Sequence, residues 1–256
     1  MQNILAIWQR EMKSYFVSPI AYAVLVIFLF LMGLFFFGNL AELVQYSMMQ
    51  AQLGQSGQPL DVPAYIMRSL FSTTSVILLF LIPMLTMGLF SEEKKRGTIE
   101  LLLTTPVGNF QAMIGKYLAS LTFLLTLFVS SMLTISALFV YSQPALKPIL
   151  SGYLGLFLYG AALLALGLFI STLTESQIVA VVVTFGISLV LWLISIFGSS
   201  STGAIKDVIN YLSVISHLDD FIKGVIDTSH VIYYVTFTFV GLFLAYRSLE
   251  STRWKG

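Results

Sequence analysis

Cysteine is absent from this sequence, and charged residues are scarce. Without cysteine, disulfides, thiolate metal sites and cysteine nucleophiles are excluded. Charged residues make up 10% of the 256 residues, against about 25% in an average soluble domain, while 57% are hydrophobic. A soluble domain of this length could not bury that much apolar surface, and a disordered chain would not carry it. The net charge of +1 provides no basic surface for nucleic acid, so the composition predicts a polytopic membrane protein.

Six stretches free of Asp, Glu, Lys and Arg are long enough to cross a bilayer, which takes roughly 20 mostly apolar residues. They predict an all-α fold with six transmembrane helices, at residues 19–39, 69–90, 117–141, 149–172, 177–198 and 229–247. The first outer connection, about residues 40–67, is rich in Gln and is predicted as a flexible loop. Small residues in the fourth span favour close helix packing.

Lysine and arginine in the short connections predict the orientation. On the side of both termini lie nine of them: Arg10, Lys13, Lys94, Lys95, Arg96, Lys116, Arg247, Arg253 and Lys255. The other side carries four: Arg68, Lys147, Lys206 and Lys223. Because positive charge concentrates on the cytoplasmic side, we expect both termini in the cytoplasm.

The first 18 residues are predicted as an amphipathic elbow helix on the cytoplasmic surface. Ile4, Trp8, Met12 and Tyr15 recur at helical spacing among polar residues. A plain charged leader is the alternative.

Two short amphipathic helices are predicted in the outer segment 199–228. Each has one apolar stripe at helical spacing. Ser216, followed three residues later by Asp219, predicts a capping box before the second stripe. These helices either dip into the outer leaflet or lie at the surface with no role in transport.

The connection of residues 91–116 is longer and more polar than the turn at Ser171–Gln177. Glu92–Arg96 predicts a continuation of the second helix into water, and Gly97 supplies a helix end. Thr98–Thr104 predicts a short helix with an apolar face, which Pro106 stops. Such a helix suits a groove on a cytosolic partner, and a helix resting on the lipid interface is the alternative.

Several kinds of chemistry are missing. No charged residue occupies a span core, so an ion-driven carrier is disfavoured. The phosphate-binding pattern G-x-x-x-x-G-K-[ST] is also absent. The pair Glu92-Glu93 resembles that of membrane CAAX-type proteases, but His217 and His230 lie on the opposite predicted side, which excludes metal and general-base roles. His217 is predicted to lie on the polar face of an outer helix.

The run of residues 92–107, EEKKRGTIELLLTTPV, resembles the E-x-x-x-GT-x-E-x-LL-x-x-P-V signature of type-2 ABC transporter permeases. The elbow helix, the six spans and the outer helices agree with that family. Within it, the outer run of residues 217–227, HLDDFIKGVID, leading to Tyr233-Tyr234, is similar to the gliding-motility-associated permease subunits.

The resemblance implies a permease half in a bacterial inner membrane, without a catalytic site, cofactor or metal site of its own. It implies a cytosolic ABC ATPase dimer, which holds ATP and Mg, and a second permease half that is an identical chain or a relative with a periplasmic domain. The first, second and fifth spans would border the path between the halves, among membrane lipids. The implied ATPase-coupling residues are Glu92, Glu93, Arg96, Gly97, Thr98, Glu100, Leu101, Leu102, Leu103, Pro106 and Glu175.

The resemblance makes export or extraction of an amphipathic, lipid-like substrate the leading hypothesis. One alternative is a mechanotransmitter, which relays ATPase motion to an envelope partner without moving a substrate. A membrane scaffold without turnover is the other.

Overall fold

The computed structural model describes residues 2–52, 62–98, 108–141, 144–200 and 204–253, and its regular structure there is entirely helical. In chain order the helices are α1 (Gln2–Val17), α2 (Pro19–Gln52), α3 (Val62–Thr86), α4 (Ser91–Lys95), α5 (Asn109–Tyr141), α6 (Leu146–Leu173), α7 (Gln177–Ser200), α8 (Ala204–Leu212), α9 (Val214–Ile222) and α10 (Thr228–Arg253). By length and composition six of them, α2, α3, α5, α6, α7 and α10, are candidate membrane spans, which confirms the predicted fold class.

Some helices extend beyond the predicted spans. α2 continues to Gln52 and α3 begins at Val62, so the predicted loop is wrong for residues 40–52 and 62–67. Residues 53–61 lie outside the described part. Glu42 and Arg68 ended the apolar runs in the sequence, yet both lie inside helices. A charge marks where a helix leaves hydrocarbon, and it does not end the helical hydrogen bonding.

The centre of the bundle is α6. In the 18-residue apolar stretch that marks α6 as a candidate span, 72% of the residues are buried. The corresponding stretches of α2 and α7 are 22% and 17% buried. Its glycines bring neighbours into contact with its backbone, as the small residues predicted. A Cβ on Gly152 would lie 2.2 Å from the Phe71 ring of α3, and one on Gly155 would lie 2.5 Å from Phe221 Cβ of α9. The helices α3, α5, α7, α9 and α10 all pack against α6.

The predicted N-terminal helix is present as α1, and it packs along α5. A Cβ on Gly115 would lie 2.8 Å from the Ile7 side chain. The Trp8 indole N–H donates to Thr122 Oγ1 at 3.0 Å, and the hydroxyls of Tyr15 and Ser120 are 3.2 Å apart. The apolar face that the sequence predicted for α1 therefore packs against another helix of the same chain.

The two predicted short helices are α8 and α9, but the predicted cap is wrong. The N-cap of α9 is Ser213, whose side chain accepts from the Ser216 backbone N–H at 3.3 Å. Only one residue separates α8 from α9, so the cap falls at that single extended position. Leu218 and Phe221 are fully buried, which places α9 inside the bundle and not at its surface.

Candidate functional site

The bundle has two distinct ends. We call the end that carries α1, α4 and the last turns of α10 the terminal end, and the end that carries α8 and α9 the far end. The residues that the sequence assigned to coupling belong to the terminal end, where α4 follows the turn after α3.

Buried Ser171, near the end of α6, fixes the turn that leads into α4. Its hydroxyl accepts from the backbone N–H groups of Phe90 at 3.0 Å and Ser91 at 3.2 Å, and it donates to the Met87 carbonyl at 3.1 Å. One side chain thereby satisfies two backbone N–H groups of the turn and donates to a carbonyl of the same turn.

A second link joins α4 to the C-terminal end of α6. Lys94 Nζ donates to the Thr172 carbonyl at 2.6 Å, and Ser248 Oγ of α10 donates to the same oxygen at 3.3 Å. Carbonyls in the last turn of a helix lack helical partners and carry partial negative charge, which favours a cation. The short helix is therefore tied to α6, and through the shared carbonyl to α10.

Four charged side chains from three helices meet beside this link. We call Arg10, Glu11, Glu93 and Lys116 the elbow cluster. Lys116 Nζ lies 3.0 Å from Glu93 Oε1 and 3.2 Å from Glu11 Oε1, and Arg10 lies 2.8 Å from Glu11 and 3.6 Å from Glu93. The cluster joins α1, α4 and α5 through side chains.

Lys116 is the centre of the elbow cluster, because its side chain is only 4% exposed. Its ammonium group also lies 5.3 Å from the centroid of the Phe90 ring, a favourable cation–π distance. The two carboxylates and two cations of the cluster cancel in charge, with Lys116 buried and Arg10 58% exposed.

The elbow cluster also changes the acidity of its members. Burial acts to raise the pKa of Glu11, but the charges of Lys116 and Arg10 outweigh it and hold that pKa below its ordinary value. The hydrogen bond to Glu11 is the main cause that raises the pKa of Arg10. Glu11 therefore stays ionised, and its ion pairs persist, to lower pH than in an isolated peptide.

Gly97 ends α4, as the sequence predicted. Its φ of 67° lies in the left-handed region, its N–H donates to the Lys94 carbonyl at 3.1 Å, and the Thr98 N–H donates to the Glu93 carbonyl at 3.0 Å. This pair of hydrogen bonds is the Schellman arrangement, in which glycine avoids the strain of a Cβ. The chain then turns away from α4 towards residues 99–107.

The structure locates some of the predicted coupling residues. Glu92, Glu93 and Arg96 lie on or at the end of α4, with Glu92 paired to Arg96, and Thr98 follows Gly97. Glu175 is exposed in the turn between α6 and α7. Outside the described residues lie Glu100, Leu101, Leu102, Leu103, Pro106 and the rest of the predicted coupling helix after Thr98.

The connection that follows α3 and the turn between α6 and α7 meet beside α4. A Cβ on Gly88 would lie 3.5 Å from Glu92 Oε2 and 3.6 Å from Gln177 Nε2, so both side chains reach this position. Sequence reasoning missed the contribution of Lys116, Glu11, Lys94 and Ser171. The position of Lys116 at the edge of an apolar span could have predicted the ion pairs, because a lysine that is buried there needs a carboxylate partner.

A hollow of about 430 Å³ opens beside the elbow cluster, between α1, α2, α3 and α7. Its wall is polar at Glu11, Glu92 and Gln177 and apolar at Val24 and Phe123. Across the described residues, no group of three or more His, Asp or Glu side chains is arranged to hold a metal ion.

The family model described as ABC-2 family transporter protein matches residues 5–249, nearly the whole chain. The chain belongs to this family. It is a multi-pass membrane protein and a permease subunit of an ABC transporter, and the family implies a cytosolic ABC ATPase partner. Subunits of this kind typically have no catalytic site of their own. No curated protein matches the permease significantly.

Proposed function

We propose that this permease couples ATP binding and hydrolysis in a separate ATPase to export, or membrane extraction, of an amphipathic, lipid-like substrate. The observation that carries this proposal is the attachment of α4. The helix leads through the turn at Gly97 into residues 99–107. It is bound to α1 and α5 through the elbow cluster and to α6 through Ser171 and Thr172. A push on that segment would therefore move several spans together.

The terminal end faces the cytoplasm in this proposal, because it carries most of the Lys and Arg residues of the connections. The contact with the ATPase consists of exposed groups of α4 and its continuation, with Glu175 as a second, smaller contact. Glu92, Arg96 and Thr98 supply polar contacts, and Leu101–Leu103 supply an apolar anchor of the kind that enters a groove.

The hollow beside the elbow cluster supports an amphipathic substrate. It presents carboxylate and amide groups next to apolar side chains, at the depth where α2 and α3 enter the terminal end. No charged residue lies in the predicted span cores, so apolar, aromatic and hydroxyl groups would contact the remainder of such a molecule.

A mechanotransmitter is the second candidate, and the placement of α6 favours it. At the terminal end α6 holds α4 through Ser171, and at the far end Ser151 Oγ donates to the Phe221 carbonyl of α9 at 2.7 Å. One buried helix thus connects α4 at the terminal end to α9 at the far end. In this alternative the permease belongs to the gliding-motility-associated subfamily and pairs with a relative that has a periplasmic domain.

Co-purification with the cognate ATPase tests the coupling assignment. Replacing Leu101, Leu102 and Leu103 by Ser, or Glu100 by Gln, should reduce the amount of ATPase recovered with the permease. Val208→Ser, at an exposed position of α8, is the matched control and should leave recovery unchanged. Equal recovery from all variants would contradict the assignment.

Reconstitution then separates the two candidate functions. The complex is placed in vesicles of inner-membrane lipids containing fluorescent lipid analogues, and ATP-dependent movement of each analogue is measured. Movement that stops in the Leu101–Leu103 variant supports the exporter. ATP turnover that moves no analogue, and that rises when an envelope partner is added, supports the mechanotransmitter.

A further inference from the structure

The two histidines of the chain, 13 residues apart, meet at the far end. His217 Nδ1 of α9 lies 2.7 Å from His230 Nδ1 of α10, and the other His217 nitrogen lies 3.0 Å from the Tyr211 carbonyl of α8. His230 Nε2 lies 3.0 Å from Asp220 Oδ2. The prediction that His217 lies on a polar helix face is therefore wrong. The residue is only 8% exposed, and its ring stacks on that of Tyr233 with 3.9 Å between the centroids, because the short α9 is packed into the bundle.

The hydrogen-bond capacity of these groups determines how many protons they hold. A carbonyl only accepts, so His217 Nε2 carries a hydrogen towards Tyr211. An ionised carboxylate also only accepts, so His230 Nε2 carries a hydrogen towards Asp220. The contact between the two Nδ1 atoms needs one further hydrogen, since two lone pairs at 2.7 Å would repel.

We propose that Asp220, His230 and His217 form a site for one exchangeable proton, which locks α8 and α9 to the sixth span. Two neutral imidazoles carry one ring hydrogen each, and the three contacts require one more. The count is the same if the extra hydrogen resides on Asp220 and is donated to His230. Without it, one contact of the chain loses its hydrogen bond.

The surroundings indicate that the additional proton lies on the Asp220–His230 pair and not on His217. Burial lowers the pKa of His217, which keeps its ring neutral and its Nδ1 free to accept. The hydrogen bond from His230 is the main cause that lowers the pKa of Asp220. Carboxylates outnumber cations among the titratable groups that face the site: Asp207 and Tyr211 of α8, Asp219 and Lys223 of α9, Asp227, Tyr233 and Tyr234 at α10, and Arg68 of α3. That excess favours a bound proton.

The lock therefore has a defined direction in pH. It is closed while the site holds its proton, and it opens as the pH rises and the proton leaves through the open hollow of about 470 Å³ that the site lines. The hydroxyls of Tyr234 and Tyr233 donate to the Val214 carbonyl of α9 at 2.7 Å and to the Leu212 carbonyl of α8 at 3.1 Å. Opening of the histidine contact therefore loosens the two short helices without releasing them.

Ring nitrogen NMR tests the proton count directly on the full permease. With only two histidines in the chain, ¹⁵N-histidine labelling reports the two rings alone, in lipid nanodiscs. The expected result is one unprotonated ring nitrogen, His217 Nδ1. As the pH rises, the ¹⁵N shifts of both rings should change together in a single deprotonation step. Two rings that titrate independently, or that are both neutral while Asp220 is ionised, would overturn the proposal.

Two matched variants add a second readout. Asp220→Asn should move the midpoint of the shared titration to lower pH by about one unit, because the anion beside the proton is removed. Asp207→Asn, an exposed residue of the same hollow without a hydrogen bond in the chain of contacts, should move it much less. Equal shifts in both variants would contradict a specific pair.

Spin labels test whether the proton site also holds the helices together. The chain contains no cysteine, so Val208→Cys and Ile232→Cys, both exposed, give one labelled pair across α8 and α10. The distance between the labels should change over the pH range of the NMR titration, and it should be independent of pH when His217→Gln is added. A distance that ignores pH in the otherwise native chain would refute the lock.

Discussion

The two ends of the permease are held together by different chemistry. At the terminal end, long charged side chains from three helices converge on Lys116, and their pairing needs Glu11 and Glu93 to be ionised. At the far end, aromatic rings and hydrogen bonds to carbonyls hold α8 and α9, with one proton shared between the histidines and Asp220. Charge therefore secures the end that the proposal assigns to the ATPase, and proton occupancy secures the other.

The two ends consequently respond to pH in opposite senses. The pKa of Glu11 is lowered in the folded chain, so its stabilising contribution is present above the pKa of the unfolded chain and is lost as pH falls through the folded value. The far end loses its lock as pH rises. Hydrogen exchange should show α1 loosening in acid and α8 loosening in base.

The largest expected effect is at the centre of the elbow cluster. Lys116→Met should lower the free energy of unfolding by about 3 kcal/mol, because it leaves two carboxylates facing each other without their buried cation. Unfolding in mixed micelles measures this change. Lys147→Met removes an exposed lysine of the same size and should change it by less than about 0.5 kcal/mol. Comparable losses from both variants would mean that the elbow cluster does not stabilise the terminal end.

Disruption of the far end should have the next largest effect. Gly155→Val places side-chain atoms where Phe221 of α9 now lies, and such overpacking should cost about 2 kcal/mol. Proteolysis of α8 and α9 should accelerate, while ATPase recovery stays near that of the native chain. Gly186→Val, at a position with no atom within 4 Å of the added Cβ, is the control. A similar loss in Gly186→Val would show that replacing a helical glycine, and not the contact with Phe221, causes the effect.

The cap of α9 should contribute a smaller amount. Ser213→Ala removes the hydroxyl that accepts the Ser216 backbone N–H and should cost about 1 kcal/mol. Ser216→Ala keeps that bond and should cost less than half as much. Both losses are measured by unfolding in the same micelles. A larger loss from Ser216→Ala than from Ser213→Ala would support the predicted cap at Ser216.

The smallest expected effect is at the exposed end of α4. Arg96→Ala breaks the i,i+4 pair with Glu92, whose side chains are 70% and 42% exposed. Its cost in unfolding free energy should be about 0.3 kcal/mol and should vanish at high salt, in contrast to Lys116→Met. A loss near 1 kcal/mol that persists in salt would show that Arg96 is more than a surface partner.

The sequence predicted the six spans, the helix end at Gly97 and the short helices α1, α8 and α9, because each depends on local periodicity or on one residue type. It did not predict the ends of α2 and α3, since charge limits an apolar run without ending a helix. The burial of His217 and the pairing of Lys116 join residues from different helices, and a single sequence does not show which helices become neighbours. Residues 99–107 make up nine of the 16 positions of the predicted coupling signature, and their role stays a prediction.

The central position of α6 has a consequence for how the permease is made. Its glycines accept α3 and α9, and Gly241 of α10 brings the last span against Ala165, where an added Cβ would lie 3.0 Å away. α10 leaves the ribosome after the other described helices. Until then one side of α6 is covered only by lipid or by the insertion machinery, so a chain truncated before residue 228 would leave Ala165 without its packing partner.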